Sequence, residues 1–376
     1  MGYESVDRLQ TLFAQTTFGY ASDRKKAAGR ALGTLVETIT FYLLKHWELE
    51  RYMAIERKLC EFANPSISHN VEFSLHGGQL LAREAISLDK LPMTGASIVR
   101  DYGKIARDLS IKSCSVIDRR KTIKNACTVL DKGDTFYNVH VDSIASEYTL
   151  SRLVGKPFVM FECKRVGVEE GMKKGPQTIE KAKQGSYVAR SVSSLQRVRR
   201  ADGGFDGIIF QQDGSFVIDD YDKLLARILA SDDKDLLRDF VLTVGVVSNH
   251  GNWFTANTMN KELRVLAQSC DWLLFLTDDG LSNFISDLLL EPIPRYVAAK
   301  EAFEASYCPD KKGNCFTKSK IWWDADVALR HYFNDNAQRI EGWFNVIAPR
   351  GGSLKMLRLH LATLAGKNWQ EVYDCT

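Results

Sequence analysis

The chain has 376 residues, 50 Lys and Arg against 47 Asp and Glu, 45% hydrophobic residues and 8 Pro, which excludes a disordered or collagen-like chain. No apolar run approaches the roughly 20 residues that cross a bilayer, and the length suits one large domain or two ordinary ones. The net charge of +3 points to no partner, but it is unevenly spread along the chain.

The first residues, Met1 to Val6, lack the basic and apolar regions of a signal peptide. Eight cysteines are too few for a disulfide framework in a chain of this length. None forms a Cys-x-x-Cys pair, and the two closest in sequence are Cys308 and Cys315. These features predict a reduced, cytoplasmic protein.

Ser22 or Asp23 is placed to cap a long helix reaching Trp47, with Leu32, Val36, Ile39, Leu43 and Trp47 as its apolar stripe. A mostly polar helix is expected to follow to about Glu61. Residues 64–131 alternate short strand-like runs (Val71–Leu75, Ile111–Val116) with turns, and the stretch 50–125 reads as an insertion. Strands are predicted at Thr135–Val141 and Pro157–Val166, then a helix over 177–199 with Val188, Val192 and Leu195 on one face. A hairpin follows (Gly207–Phe210, turn at Asp213-Gly214, Phe216–Ile218), then buried strands at Phe240–Val247 and Trp272–Thr277. From 322 the chain reads as mainly helical, interrupted around Ala348 to Gly352. The expected class is α/β (α+β): a mixed central β-sheet flanked by helices, with a core over 1–290 and a helical region over 291–376.

The stretch Phe158 to Lys164 carries the chemistry. Side chains alternate along a strand, so Met160, Glu162 and Lys164 project to one side while Val159, Phe161 and Cys163 project to the other. Two charges at the end of a very apolar strand pair with each other or bind something. The carboxylate suits a hard divalent cation such as Mg²⁺, and the lysine suits a water or a charged phosphate beside it. A second carboxylate is expected from the preceding strand. Asp142, at a bend after Val139-His140-Val141, is favoured over Asp134, which follows a Lys-Gly turn and reads equally as a turn residue.

The pattern Asp142…Glu162-Cys163-Lys164 resembles the PD-(D/E)xK nuclease superfamily, which includes most type II restriction endonucleases. The segment Ala28 to Glu37 resembles the Gly-x-x-x-Glu helix ahead of that core, with Glu37 as an outer metal ligand. The expected helix bearing Lys181, Gln184 and Tyr187 resembles the family's helix flanking the active site. The resemblance covers roughly residues 25–47 and 130–200. No Pro precedes either candidate Asp, and some 90 residues separate the first helix from the hairpin.

Charge falls in the same region. Residues 156–200 hold 11 Lys and Arg against 4 Glu, a net +7, so the other 331 residues carry −4. Lys156, Arg165, Lys173, Lys174, Lys181, Lys183, Gln184 and Arg190 are the expected DNA contacts. No HExxH, GxGxxG after a strand, or GxxxxGK[ST] is present, so no nucleotide cofactor is expected. The resemblance implies a Mg²⁺-dependent type II restriction endonuclease with one or two ions per site, acting on double-stranded DNA as a homodimer. Alternatives are a repair, recombination or modification-dependent nuclease on the same fold, or a DNA-binding protein without catalysis.

Overall fold

The structure is a computed structural model describing residues 5–57, 71–101, 112–131, 134–165, 186, 189–190, 193–211, 213–248, 257, 261–307 and 314–373. Helix α1 (Val6–Gln15) leads into the long helix α2 (Arg24–His46). Asp23 caps α2 by accepting a hydrogen bond from the Lys26 amide at 3.0 Å, and Lys45 and His46 oppose the dipole at its last turn. Its stripe of Leu32, Leu35, Val36, Ile39 and Leu43 is buried, as the helical spacing requires.

The strands in chain order are β1 (Met53–Ile55), β2 (Phe73–Ala85), β3 (Met93–Thr94), β4 (Ser115–Ile117), β5 (Thr122–Lys124), β6 (Cys127–Asp131), β7 (Thr135–Asp142) and β8 (Glu147–Arg165). They continue with β9 (Leu195–Arg199), β10 (Phe205–Phe210), β11 (Phe216–Asp220), β12 (Leu242–Ser248), β13 (Trp272–Leu276), β14 (Lys320–Trp322) and β15 (Phe344–Ala348).

The central sheet runs β1-β2-β8-β12-β13-β15, with β7 and β6 attached beside the first half of β8. The sheet is mixed: β2 and β7 pair with β8 antiparallel, β12 and β13 run parallel to it, and β15 returns antiparallel. The 19-residue β8 is its axis. Helix α2 lies on one face, where Phe41 stacks on Phe73 at 6.0 Å between ring centroids. Helices Leu354–Ala365 and Trp369–Val372 pack near β2, and Trp369 stacks on Phe158 at 5.1 Å. No helix among the described residues is long and apolar enough to cross a membrane.

Several expectations need correction. The polar helix expected after Trp47 is a single 3-10 turn (Glu50–Tyr52) followed by β1. The backbone of Glu48 at φ 62° has already left the helical region there. The stretch 50–125 is not wholly an insertion, because β1 and β2 belong to the central sheet. Only β3, β4 and β5 stand apart, in a small sheet with β14. Residues 195–199 are strand β9 rather than the end of a helix, paired with β10. Of the other two positions on the expected helical face, Val188 and Val192 lie outside the described residues. The chain beyond 291 adds β15 to the central sheet and β14 to the small one, so it is not only helical.

Candidate metal centre

Glu162 and Lys164 lie near the end of β8, paired as their strand spacing demands. Lys164 Nζ is 2.9 Å from Glu162 Oε1. Glu162 is 3% exposed despite its charge. On the next strand, Phe73 stands opposite Phe161, and continuing that register one residue beyond the start of β2 sets Glu72 across from Glu162. One strand beyond, the Glu56 amide donates to the Glu72 carbonyl at 3.2 Å. The ends of three adjacent strands thus bring three glutamates together, Glu56 just past β1, Glu72 just ahead of β2 and Glu162 within β8.

Like charges directly opposite on a sheet repel, so the group needs cations. Two lysines supply them. Lys164 Nζ also lies 3.5 Å from Glu72 Oε2. Lys318, itself 3% exposed, bonds the other oxygen of Glu72 and reaches Glu37 Oε2 and Glu56 Oε1, each at 3.0 Å. Glu72, only 6% exposed, is therefore the bridge between the two lysines. Glu37 arrives from α2, one turn after Gly33, as the Gly-x-x-x-Glu spacing anticipates. Burial opposes the charge on Lys164, but Glu162 beside it outweighs that and holds its pKa above the ordinary lysine value. The group is an ammonium at neutral pH.

The two expected first ligands are elsewhere. Asp142 closes the β7–β8 hairpin opposite Glu147, and its carboxylate accepts the amides of Ile144 and Ala145 at 2.9 and 3.1 Å. It caps a turn about 50 Å along β8 from Glu162, at ~3.3 Å per residue. Asp134 is exposed, and its carbonyl accepts the Gly155 amide at 2.7 Å, seven residues short of Glu162. The strand preceding β8 in the chain pairs with the wrong half of it. The neighbour at the Glu162 end is β2, and its carboxylate is Glu72. An acid inside the strand-like run Val71 to Leu75 was the available signal. Lys318 had none, because it lies in a polar loop brought in by tertiary packing.

The expected DNA contacts that fall among the described residues already have partners. Lys156 pairs with Asp239, Arg165 donates to Gln10 at 3.2 Å, and Arg190 bonds Asp271 at 3.4 Å and the Gln268 carbonyl. Lys173, Lys174, Lys181, Lys183 and Gln184 lie outside the described residues.

Among the described residues, no three His, Cys, Asp or Glu side chains are arranged to hold a metal ion by themselves. Ammonium groups stand between the carboxylates instead. The donor set nonetheless fits a hard divalent ion: Glu72 and Glu162 are facing, buried oxygen donors, and Mg²⁺ commonly takes one or two carboxylates, with water and substrate oxygens for the rest. A cavity of about 700 Å³ opens at the other end of β8, beside Glu50, His140 and Asp142. Cavity volume and carboxylate chemistry therefore point to different places, and the carboxylates are the better guide to charge chemistry. No family model, curated protein or solved structure matches the chain.

Proposed function

We propose that the chain is a Mg²⁺-dependent endonuclease with a PD-(D/E)xK-type core, cutting double-stranded DNA as a type II restriction enzyme does. The observation carrying this reading is the trio Glu72, Glu162 and Lys164, brought together where the start of β2 lies against the end of β8. The order of elements supports it: a helix bearing Glu37, three antiparallel strands (β1, β2, β8), then β12 parallel to β8. In this reading Glu72 takes the place expected of Asp142 or Asp134.

Glu72 and Glu162 would hold the ion, with Glu37 behind them. A bound divalent ion supplies Lewis acidity toward a phosphate oxygen and lowers the pKa of a ligated water. Lys164, which pairs with Glu162 at 2.9 Å, would donate a hydrogen bond and charge to a water or phosphate oxygen. Cutting both strands of a palindrome calls for two such sites, hence a homodimer.

Plasmid DNA incubated with the protein and Mg²⁺ is expected to yield discrete fragments. Glu162→Gln and Glu72→Gln should each lower cleavage about 100-fold or more while DNA binding persists. Intact plasmid with Mg²⁺, Mn²⁺ and every other divalent ion tried would refute the enzyme reading. Full activity in Glu72→Gln would refute the choice of first ligand.

A further inference from the structure

We propose that Cys114 and Cys127 form a reversible disulfide, with Cys114 as the thiol that reacts first. The inference goes beyond the nuclease reading and stands independently of it. Cys114 lies just ahead of β4 and Cys127 opens β6, so the two bracket the antiparallel pair β4 and β5. The segment leading into β4 runs alongside β6. The Lys112 amide donates to the Val129 carbonyl at 2.9 Å, and Cys114 Sγ lies 3.7 Å from the Thr128 carbonyl oxygen. Continuing two residues up one segment and two down the other from the Lys112–Val129 bond sets Cys114 across from Cys127. Facing residues on antiparallel strands have Cα atoms about 4.5–5.5 Å apart, within the roughly 4.4–6.8 Å that a disulfide spans. The side chains also share a face. A Cβ added at Gly95 would meet both Cys114 Sγ at 2.8 Å and Val129 Cγ1 at 3.0 Å. Val129 and Cys127 are the buried positions either side of the half-buried Thr128, so Cys127 points the same way.

The two thiols differ in access and acidity. Cys127 is buried, whereas Cys114 is partly exposed. A hydrogen bond donated by the Cys127 thiol lowers the Cys114 pKa, aided by Lys124 and Lys112 and opposed by burial. The same hydrogen bond, together with burial, raises that of Cys127. Cys114 is therefore the nucleophile and Cys127 the resolving thiol. With a low-molecular-weight disulfide such as oxidised glutathione as oxidant, the Cys114 thiolate attacks one sulfur, breaks the S–S bond and releases one glutathione. Cys114 then carries the other glutathione and no longer holds the Cys127 proton. Cys127 gives up that proton and attacks Cys114 Sγ, and the second glutathione leaves. In sum, two protein thiols lose two electrons and two protons, and one glutathione disulfide becomes two thiols. The new bond closes a loop holding β4 and β5, which ties the small sheet to β6 of the central sheet. In a reducing compartment such bonds form and break transiently rather than persist.

The test incubates the full chain with oxidised glutathione at neutral pH, blocks the remaining thiols, and maps unreduced peptides by mass spectrometry. The wild type is expected to yield a peptide linked through Cys114 and Cys127, lost on treatment with dithiothreitol. Cys127→Ala is expected to keep glutathione on Cys114, and Cys114→Ala to leave Cys127 unmodified. Brief iodoacetamide labelling of untreated protein should mark Cys114 about 10-fold faster than Cys127, or more. Glutathione retained on Cys114 of the wild type, a link from Cys114 to a different cysteine, or two unmodified thiols would each overturn the disulfide. Faster labelling of Cys127 would overturn the order of attack. Should either variant fail to fold, the wild-type peptide map and labelling rates decide. None of these outcomes alters the plasmid result, so the nuclease reading stands or falls separately.

Discussion

At the Glu147 end of β8, Asp326 is fully buried and takes bonds from Lys45 at 2.8 Å, Arg330 at 2.8 Å, Ser143 at 2.7 Å and the Tyr42 hydroxyl. Glu50 pairs with the same two cations, at 3.3 Å to Lys45 and 2.8 Å to Arg330. Burial works against the Asp326 carboxylate, but Lys45 and Arg330 outweigh it and hold its pKa far below the ordinary range. Burial pushes His140 nearby down to about 4, so it adds no charge at neutral pH. The four charged side chains of this cluster are at most 17% exposed. At the Glu162 end the carboxylates of Glu72 and Glu162 are as deeply buried, but Lys164 beside them is 31% exposed and Glu56 more than half exposed. A sealed set of ion pairs marks a structural joint, whereas a set that opens to solvent on one side can exchange a partner for a ligand.

The sharpest way to break this comparison is to neutralise one acid at each end. Asp326→Asn leaves Lys45 and Arg330 with Glu50 as their remaining carboxylate at a fully buried position and should cost about 3–5 kcal/mol of unfolding free energy. Glu72→Gln keeps the size of the side chain and relieves its repulsion with Glu162 while weakening its bonds to two lysines, so it should cost less than Asp326→Asn while cleavage falls. Denaturant unfolding of both variants decides the matter. Equal large losses would mean that the Glu162 end is also a structural joint.

A divalent ion should act on one end alone. An ion that binds only the folded chain stabilises it by about 2.7 kcal/mol at 100 times its dissociation constant. Mg²⁺ or Mn²⁺ should therefore raise the melting temperature of the wild type, and of Asp326→Asn from its lower starting point. The shift should vanish in Glu162→Gln. A shift that survives there would place the ion elsewhere.

The legible parts of this molecule were those set by local pattern. Asp23 as a cap, the stripe of α2, the β10–β11 hairpin and the buried strands β12 and β13 all follow from periodicity and turn chemistry within a few residues. Glu162 and Lys164 were legible for the same reason, since two residues apart on a strand is a local relation. The partner carboxylate was not. Asp142 is near Glu162 in sequence, but β8 is long enough that its two halves pair with different neighbours, β7 along the first and β12 along the second. Only the register of β2, fixed by the fold, brings Glu72 there. Lys318, more than 150 residues from Glu162, depends on the small sheet closing across the insertion, which no local signal announces.

The smallest effect tests that distinction most directly. Asp142 accepts two turn amides and lies within electrostatic reach of Arg330, so Asp142→Ala should cost about 0.5–1.5 kcal/mol, the worth of ordinary hydrogen bonds at a turn. Cleavage at saturating Mg²⁺ should be unchanged within a factor of two or so, because the turn lies at the far end of β8. A loss comparable to that of Glu162→Gln would restore Asp142 as a ligand and would require the β7–β8 hairpin to sit against the Glu162 end. The register from Thr135 opposite Val154 to Asp142 opposite Glu147 runs the other way. Asp142 is therefore the residue at which nearness in sequence and nearness in the sheet make opposite predictions.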